Sequence, residues 1–300
     1  DGRILFVGTS AGLFSTPINL QILTFTQETI TGVDNANNLV AVNALLIESD
    51  GNLLIGTDVG LFRRDAITKA ITTVTASLNA LKVLSLAKTS DSTIWAGLAD
   101  ATAAKNLLRR TSAGTETFYG KAEVVGLIQG GVTASNVVSI YSDSTVTIVC
   151  GTGAQGKGGL FRLTGGATPF AFAGNAELSE GANCFSVIGS KWYAGSAAKG
   201  LYVSSDNGTN WTQIAGTGTS TPYSIYATTE GQVWITSDKG LYLTYDLTNF
   251  HLFNTTNRLG KDLCKAFTAF GTTGFYASEV FVGHPDILVG GVTRGIFTGD

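Results

Sequence analysis

The chain of 300 residues has no methionine, four prolines, three cysteines and two histidines, and only 14% of its residues are charged. Each shortage closes off a class of function. With only His251 and His284, a His-based catalytic triad or a multi-histidine metal site has too few members. Cys150, Cys184 and Cys264 are far apart and odd in number, with no CxxC or Cys/His metal spacing, so they read as small buried hydrophobes. A net charge of −3 offers no overall basic field, so neither nucleic acid nor a membrane surface is expected as a partner. No apolar run approaches the roughly 20 residues that span a bilayer, which argues against membrane insertion. The chain lacks a signal peptide and opens at Asp1 directly into a strand-like run, the expectation for a processed or excised part of a longer product.

What fills the space left by charge is glycine, with 38 residues, together with serine and threonine. The surface is therefore expected to carry hydroxyls and amides rather than ions. That texture fits an extracellular, cell-surface or virion protein better than a cytosolic enzyme. Hydrophobic residues make up 44% of the chain, enough for a large core.

One phrase recurs seven times: an apolar run ending in a small residue, a tight loop, then a second apolar run opened by glycine. Ile4-Leu5-Phe6-Val7-Gly8-Thr9 leads to Gly12-Leu13-Phe14, and Leu53-Leu54-Ile55-Gly56-Thr57 leads to Gly60-Leu61-Phe62. Further copies centre on Gly97, Gly151, Gly195, Thr236 and Gly290, about 41 to 54 residues apart. Short apolar strands precede the middle copies, as at Val83–Leu86, Val138–Tyr141, Phe185–Ile188 and Tyr223–Tyr226, and outer strands follow, as at Trp211–Ile214 and Phe250–Phe253. A hairpin cannot bury both its faces alone, whereas copies stacked around a circle can. The expectation is an all-β, single-domain fold over residues 1–300, a seven-bladed β-propeller of four-stranded antiparallel blades. Phe6, Leu54, Trp95, Val149, Tyr193, Trp234 and Leu288, two residues before the small residue, should fill the space between neighbouring blades. The glycine after each loop should take positive φ or permit close backbone approach.

Closure of the ring has two readings. Residues 264 to 300 hold five strand-like runs: Ala266–Phe270, Gly274–Ala277, Val280–Gly283, Ile287–Gly290 and Gly295–Thr298. Either the first four form the last blade and the fifth completes the first, or two sheet edges stay open and can pair with another chain.

The stretch Glu48 to Arg63 resembles the two-component-regulator propeller repeat, as does Thr229 to Tyr242, where Thr236 replaces the glycine. In that family the propeller is an extracellular sensing module without catalytic residues of its own. Ser204-Ser205-Asp206-Asn207-Gly208-Thr209-Asn210-Trp211 resembles the Asp-box turn, S-x-D-x-G-x-x-W, with Thr244-Tyr245-Asp246 and Phe250 as a degraded copy. Asp206 and Gly208 suit a tight turn and Trp211 would plug the blade; Asp-boxes lie away from the catalytic face of the propellers that carry them.

No motif supplies chemistry. Sialidases need an arginine triad, and no Arg-Ile-Pro stands near the N-terminus. The 22 acidic residues are scattered, without a motif marking a glycosidase pair. Gly153 to Gly159 lacks the GKS/T ending of a phosphate loop. No cofactor is expected. A basic residue does recur in the loop between motif strand and glycine-led strand: Lys105, Lys157, Lys199, Lys239 and Arg294. Such loops share one face of a propeller, so they could form a partial ring of cations for an anionic glycan or an acidic protein. Three sequons, at Asn207, Asn210 and Asn254, would be used only on export in a glycosylating organism. The leading expectation is a non-catalytic binding or structural module presenting loops to a glycan or protein. The alternatives are a glycan hydrolase or lyase with an acid pair at the channel mouth, and a filament subunit that self-assembles through edge strands.

Overall fold

The structure, a computed structural model, describes residues 4–17, 24–30, 32–34, 39–99, 105–120, 135–143, 145–153, 158–164, 171–174, 178–197, 199–227, 231–254, 266–271 and 277–283. Every extended element among them is antiparallel to its neighbours. The first sheet joins β1 (Ile4–Thr9), β2 (Gly12–Pro17) and β3 (Thr26–Glu28). The second has four strands, β4 (Val42–Ile47), β5 (Leu53–Thr57), β6 (Gly60–Arg64) and β7 (Ile71–Thr73). Next come β8 (Lys82–Lys88), β9 (Ile94–Ala99), β10 (Leu107–Arg110) and β11 (Glu116–Tyr119), then β12 (Ser135–Ser142), β13 (Val146–Gly153), β14 (Gly158–Thr164) and β15 (Ala171–Phe172). These two sets of four are linked into an eight-stranded sheet by one residue pair, Asn136 with Ala99. Two more four-stranded sheets follow: β16 (Ala182–Ile188), β17 (Lys191–Ser196), β18 (Leu201–Ser204) and β19 (Thr212–Gln213), then β20 (Pro222–Ala227), β21 (Val233–Ser237), β22 (Gly240–Thr244) and β23 (His251–Phe253). A hairpin of β24 (Ala266–Gly271) and β25 (Ala277–Gly283) ends the described chain.

The fold is thus all-β and propeller-like, with four-stranded antiparallel blades. The order inner strand, motif strand, its hairpin partner, outer strand recurs in each four-stranded set, the partner being led by glycine in all but the third blade, where Asn106 precedes Leu107. Successive inner strands touch one another along the chain, β4 with β8, then β12, β16, β20 and β24. The seventh copy of the motif, at Ile287 to Phe297, lies outside the described residues, and with it the last two of the five runs on which both readings of ring closure depend. One reading of that region changes. Ala277 and Val280 belong to a single strand, so the runs expected at Gly274–Ala277 and Val280–Gly283 are not two separate strands.

Burial explains why blades must stack. Each hydrophobic cluster is shared by two consecutive blades. Leu54 and Leu61 of the second pack with Val83, Ala96 and Leu108 of the third. Trp95 and Leu107 of the third pack with Val137, Val149 and Phe161 of the fourth. Tyr193 and Leu201 of the fifth meet Val233, Ile235 and Tyr242 of the sixth. Two short 3-10 turns, Ala76–Leu78 and Leu178–Glu180, each push a fully buried leucine into such a seam.

The small residue of the motif has a specific reason to be small. A Cβ built on Gly8 would stand 2.6 Å from Val42 Cγ1, one on Gly56 2.7 Å from Val83 Cγ1, and one on Gly195 2.8 Å from Pro222 Cβ. The obstacle is the start of the next blade's inner strand, joined at Gly195 by Cys184 Sγ of its own blade at 2.6 Å. Those inner strands carry a bulge there, with register shifts between Val42 and Ala44, Val83 and Ser85, Val137 and Ser139, Ala182 and Cys184, and Pro222 and Ser224.

The fourth copy corrects the alignment. Leu13, Leu61, Leu107, Leu201 and Leu241 lie opposite Gly8, Gly56, Gly97, Gly195 and Thr236, but Leu160 lies opposite Cys150, not Gly151. Strand alternation then reverses the two residues before it. Val149 faces back into the cluster shared with the third blade, and Ile148 takes the outward place expected of Val149.

Candidate functional site

The motif hairpins are tied by a hydroxyl. Thr57 Oγ1 donates to Gly60 O at 3.0 Å while accepting from Val59 N at 3.1 Å, and Ser237 does the same with Gly240 O and Lys239 N at 2.9 and 3.0 Å. Gly60 and Gly240 take φ of +146° and +133°, the region that favours glycine. Adjacent hairpin loops are connected through the start of an inner strand. Thr221 donates its hydroxyl to Ala197 O at 3.1 Å and its N–H to Asp238 Oδ1 at 2.6 Å. This joins the loop that carries Lys199 to the loop that carries Lys239.

Among the expected basic residues, three are described. Lys105 Nζ lies 4.6 Å from the centroid of the Phe118 ring. Lys199 Nζ is 3.7 Å from Glu180 Oε2 and Lys239 Nζ is 3.4 Å from Asp238 Oδ2, with side chains 44% and 56% exposed. Pairs this open to water bind weakly, so both cations remain solvated and reachable. Lys157 and Arg294 lie outside the described residues. In the second blade the same loop holds Asp58 instead. Burial pushes its pKa up, but bonds from Lys82 and Asn43 outweigh this and leave it lowered.

At the other end of the strands, Asp206, Gly208 and Trp211 form one turn. Asp206 Oδ1 accepts from Ser204 Oγ at 2.8 Å and Asn210 N at 2.8 Å. Gly208 N donates to Ser204 Oγ at 2.9 Å, and Asn207 and Gly208 have φ of +56° and +84°. Trp211 Nε1 donates to Ala173 O of the preceding blade at 2.7 Å, so the turn also clasps a neighbour. The bonds from Asn210, first the backbone N–H and then the side chain, hold Asp206 at about 2. The sixth blade repeats the turn one residue shorter, with Asp246 Oδ1 accepting from Asn249 N at 2.8 Å and Leu247 at φ +57°.

On this same edge a cleft of about 220 Å³ opens between the third and fourth blades, lined by Thr89, Asp91, Trp95, Arg109, Ser142 and Asp143 among others. It lies between the β8–β9 and β12–β13 turns. Arg109 Cζ stands 5.8 Å from the Trp95 ring centroid. Asp91 accepts from the Thr89 hydroxyl and from Thr93 N and Oγ1 at 3.0 and 3.1 Å, and these bonds, the Thr89 hydroxyl first, lower its pKa. Asp143 accepts from Thr145 N at 2.7 Å, Val146 N at 2.8 Å and Tyr141 Oη at 3.2 Å. No local pattern in the sequence marks this cleft, because its lining comes from five strands and two turns. Among the described residues no cluster of three or more His, Cys, Asp or Glu could hold a metal ion. No helix among them is long and apolar enough to cross a membrane.

No family model and no curated protein matches the chain. Solved structures do. The extracellular domain of the hybrid two component system BT4673 of B. thetaiotaomicron superposes with a TM-score of 0.72 at 16% identity, over 98% of this chain and 36% of that one. PorZ, a bacterial surface component of the type-IX secretion system of Porphyromonas gingivalis, gives 0.66 at 14%, over 99% and 45%. Streptogramin B lyase gives 0.63 at 13%, over 91% and 83%. The chain spans less than half the length of the first two. The resemblance of the repeats to two-component-regulator propellers therefore holds in three dimensions. At these identities the likeness is one of fold.

Proposed function

We propose that residues 1–300 form one seven-bladed propeller domain, a non-catalytic binding or structural module of an extracellular or cell-surface assembly. Its motif-loop edge would present a cationic face to an anionic glycan or an acidic protein surface. The observation that supports this is the bridge at Thr221, which sets the loops of Lys199 and Lys239 side by side with both side chains exposed. A field of this kind attracts anions despite a net charge of −3. Extracellular and surface neighbours of the same fold favour that location over a virion. The test is binding to heparin as a probe polyanion. Wild-type protein should be retained on the matrix and released by salt, and joint replacement of Lys157, Lys199 and Lys239 by Glu should abolish retention. Equal retention of the triple variant would defeat the reading.

A further inference from the structure

Arg63, Arg109 and Arg162 hold the same place in three consecutive blades. Each lies two residues beyond the leucine opposite the small residue, and they pair with Leu54, Trp95 and Ile148 in turn. Two of the three are occupied. Arg63 Nη2 donates to Glu48 Oε1 at 2.9 Å, and Arg162 Nη1 donates to Asn207 O at 2.9 Å. Among the described residues, no carboxylate lies within ion-pair distance of Arg109.

The register shows what was exchanged. Glu48 follows the pair Ile47–Leu53 that ends the β4–β5 ladder. The same step in the third blade is Lys88–Ile94, followed by Thr89, and in the fourth it is Ser142–Thr147. Thr89 is therefore the counterpart of Glu48, and Ser142 that of Lys88. Between the second and third blades, Arg63 and Lys88 close the seam around the buried carboxylate of Glu48, with Lys88 Nζ 2.7 Å from Glu48 Oε1. Between the third and fourth, the same three places hold Arg109, Thr89 and Ser142. Two short hydroxyls stand where a glutamate and a lysine stood, and the cleft of about 220 Å³ is the space they leave.

We infer that this cleft binds a single ring of a hydroxylated carboxylate, of the uronic acid class, whose carboxylate takes the place that Glu48 fills one blade earlier. The guanidinium of Arg109 is braced over Trp95 and can meet a carboxylate with two parallel N–H donors. The hydroxyls of Thr89 and Thr145 donate to Asp91 and Asp143 and that of Ser142 pairs with Thr147, which leaves oxygens able to accept from sugar hydroxyls, with Ser90 beside them. Asp91 feels the charge of Arg109 without pairing with it, because its oxygens are turned to Thr89 and Thr93. The volume lies below the range of about 300–1,000 Å³ usual for larger ligands, which limits the occupant to about one ring. The site is at the opposite end of the strands from the lysine loops, and the inference does not rest on their function.

The test titrates the full chain with glucuronate and with glucose, read by NMR shifts of the Trp95 indole and by thermal shift. Glucuronate should bind in preference to glucose by about tenfold or more, the value of a charge-assisted pair. Arg109→Gln should abolish that preference. Thr89→Glu, which rebuilds the neighbouring seam's carboxylate, should block binding while keeping or raising the unfolding midpoint. The Trp95 shift reports this cleft and retention on heparin reports the loop face, so either reading can fail without the other. Equal binding of glucose and glucuronate, no binding of glucuronate by the wild type, or undiminished binding by Thr89→Glu would each overturn the inference.

Discussion

Gly97 stands against Val137 of the next blade so closely that a Cβ on it would lie 2.7 Å from Val137 Cγ1. Gly151 occupies the aligned place in the fourth copy of the motif, yet a Cβ there would meet nothing nearer than 3.7 Å. Gly97→Ala must push an inner strand away from its neighbour, at a cost of about 1–3 kcal/mol. Gly151→Ala should leave the urea midpoint nearly unchanged. Equal losses from the two would contradict the shifted alignment that places Cys150 opposite Leu160.

That pair of glycines also shows how far the sequence was legible. Alternating apolar runs bounded by glycine located the inner, motif and glycine-led strands, because these signals are local in the chain. In the fourth copy a cysteine took the place of the small residue beside a glycine that looked like it, and only the ladder to Leu160 distinguishes them. Lys199 and Lys239 could be placed on hairpin loops, but not their partners: Glu180 comes from the 3-10 turn that opens the fifth blade. The cleft was illegible for a stronger reason. Its cause is Thr89 standing where Glu48 stands one blade earlier, a difference visible only once the two registers are overlaid.

Asp206 predicts an acid limit. Its folded pKa of about 2 lies below the ordinary carboxylate value of about 4, chiefly through the N–H bond from Asn210. A lowered folded pKa contributes stability that is complete above the unfolded value and lost as pH falls through the folded one. The wild type should therefore lose stability between about pH 4 and 2. Asp206→Asn should be less stable at neutral pH and show a shallower slope in that window by thermal melts. An unchanged slope would mean that the turn does not depend on the ionised carboxylate.

The thiols of Cys150 and Cys184 should be inert in the folded protein. Both are buried, and burial pushes Cys184 up to about 12 and Cys150 well above its ordinary value. Only the thiolate reacts with alkylating agents. Iodoacetamide at pH 8 should leave peptides containing these two residues unlabelled, and label them fully in guanidinium. Rapid native labelling of Cys150 would show that the seam between the fourth and fifth blades opens.

Glu48 offers the sharpest contrast in electrostatics. Its side chain is 1% exposed, between Lys88 at 2.7 Å and Arg63, whose Nε lies 2.6 Å from Oε2 without hydrogen-bond alignment. Arg63 Nη2 and Lys88 Nζ both donate to Oε1, so charge-assisted hydrogen bonds add to the Coulombic attraction around a carboxylate that water scarcely reaches. Removing the carboxylate leaves a lysine that is mostly buried facing an arginine. Glu48→Ala should cost on the order of 3 kcal/mol, the value for breaking one side of a buried pair. Glu180 holds Lys199 at 3.7 Å with its side chain 56% exposed, so Glu180→Ala should cost about 0.5 kcal/mol or less. Urea titrations at low and high salt separate the cases further, since salt should erase the small loss and leave the large one. If the two substitutions cost the same, the second seam is held by packing rather than by its ion cluster, and the missing carboxylate at Thr89 loses its significance.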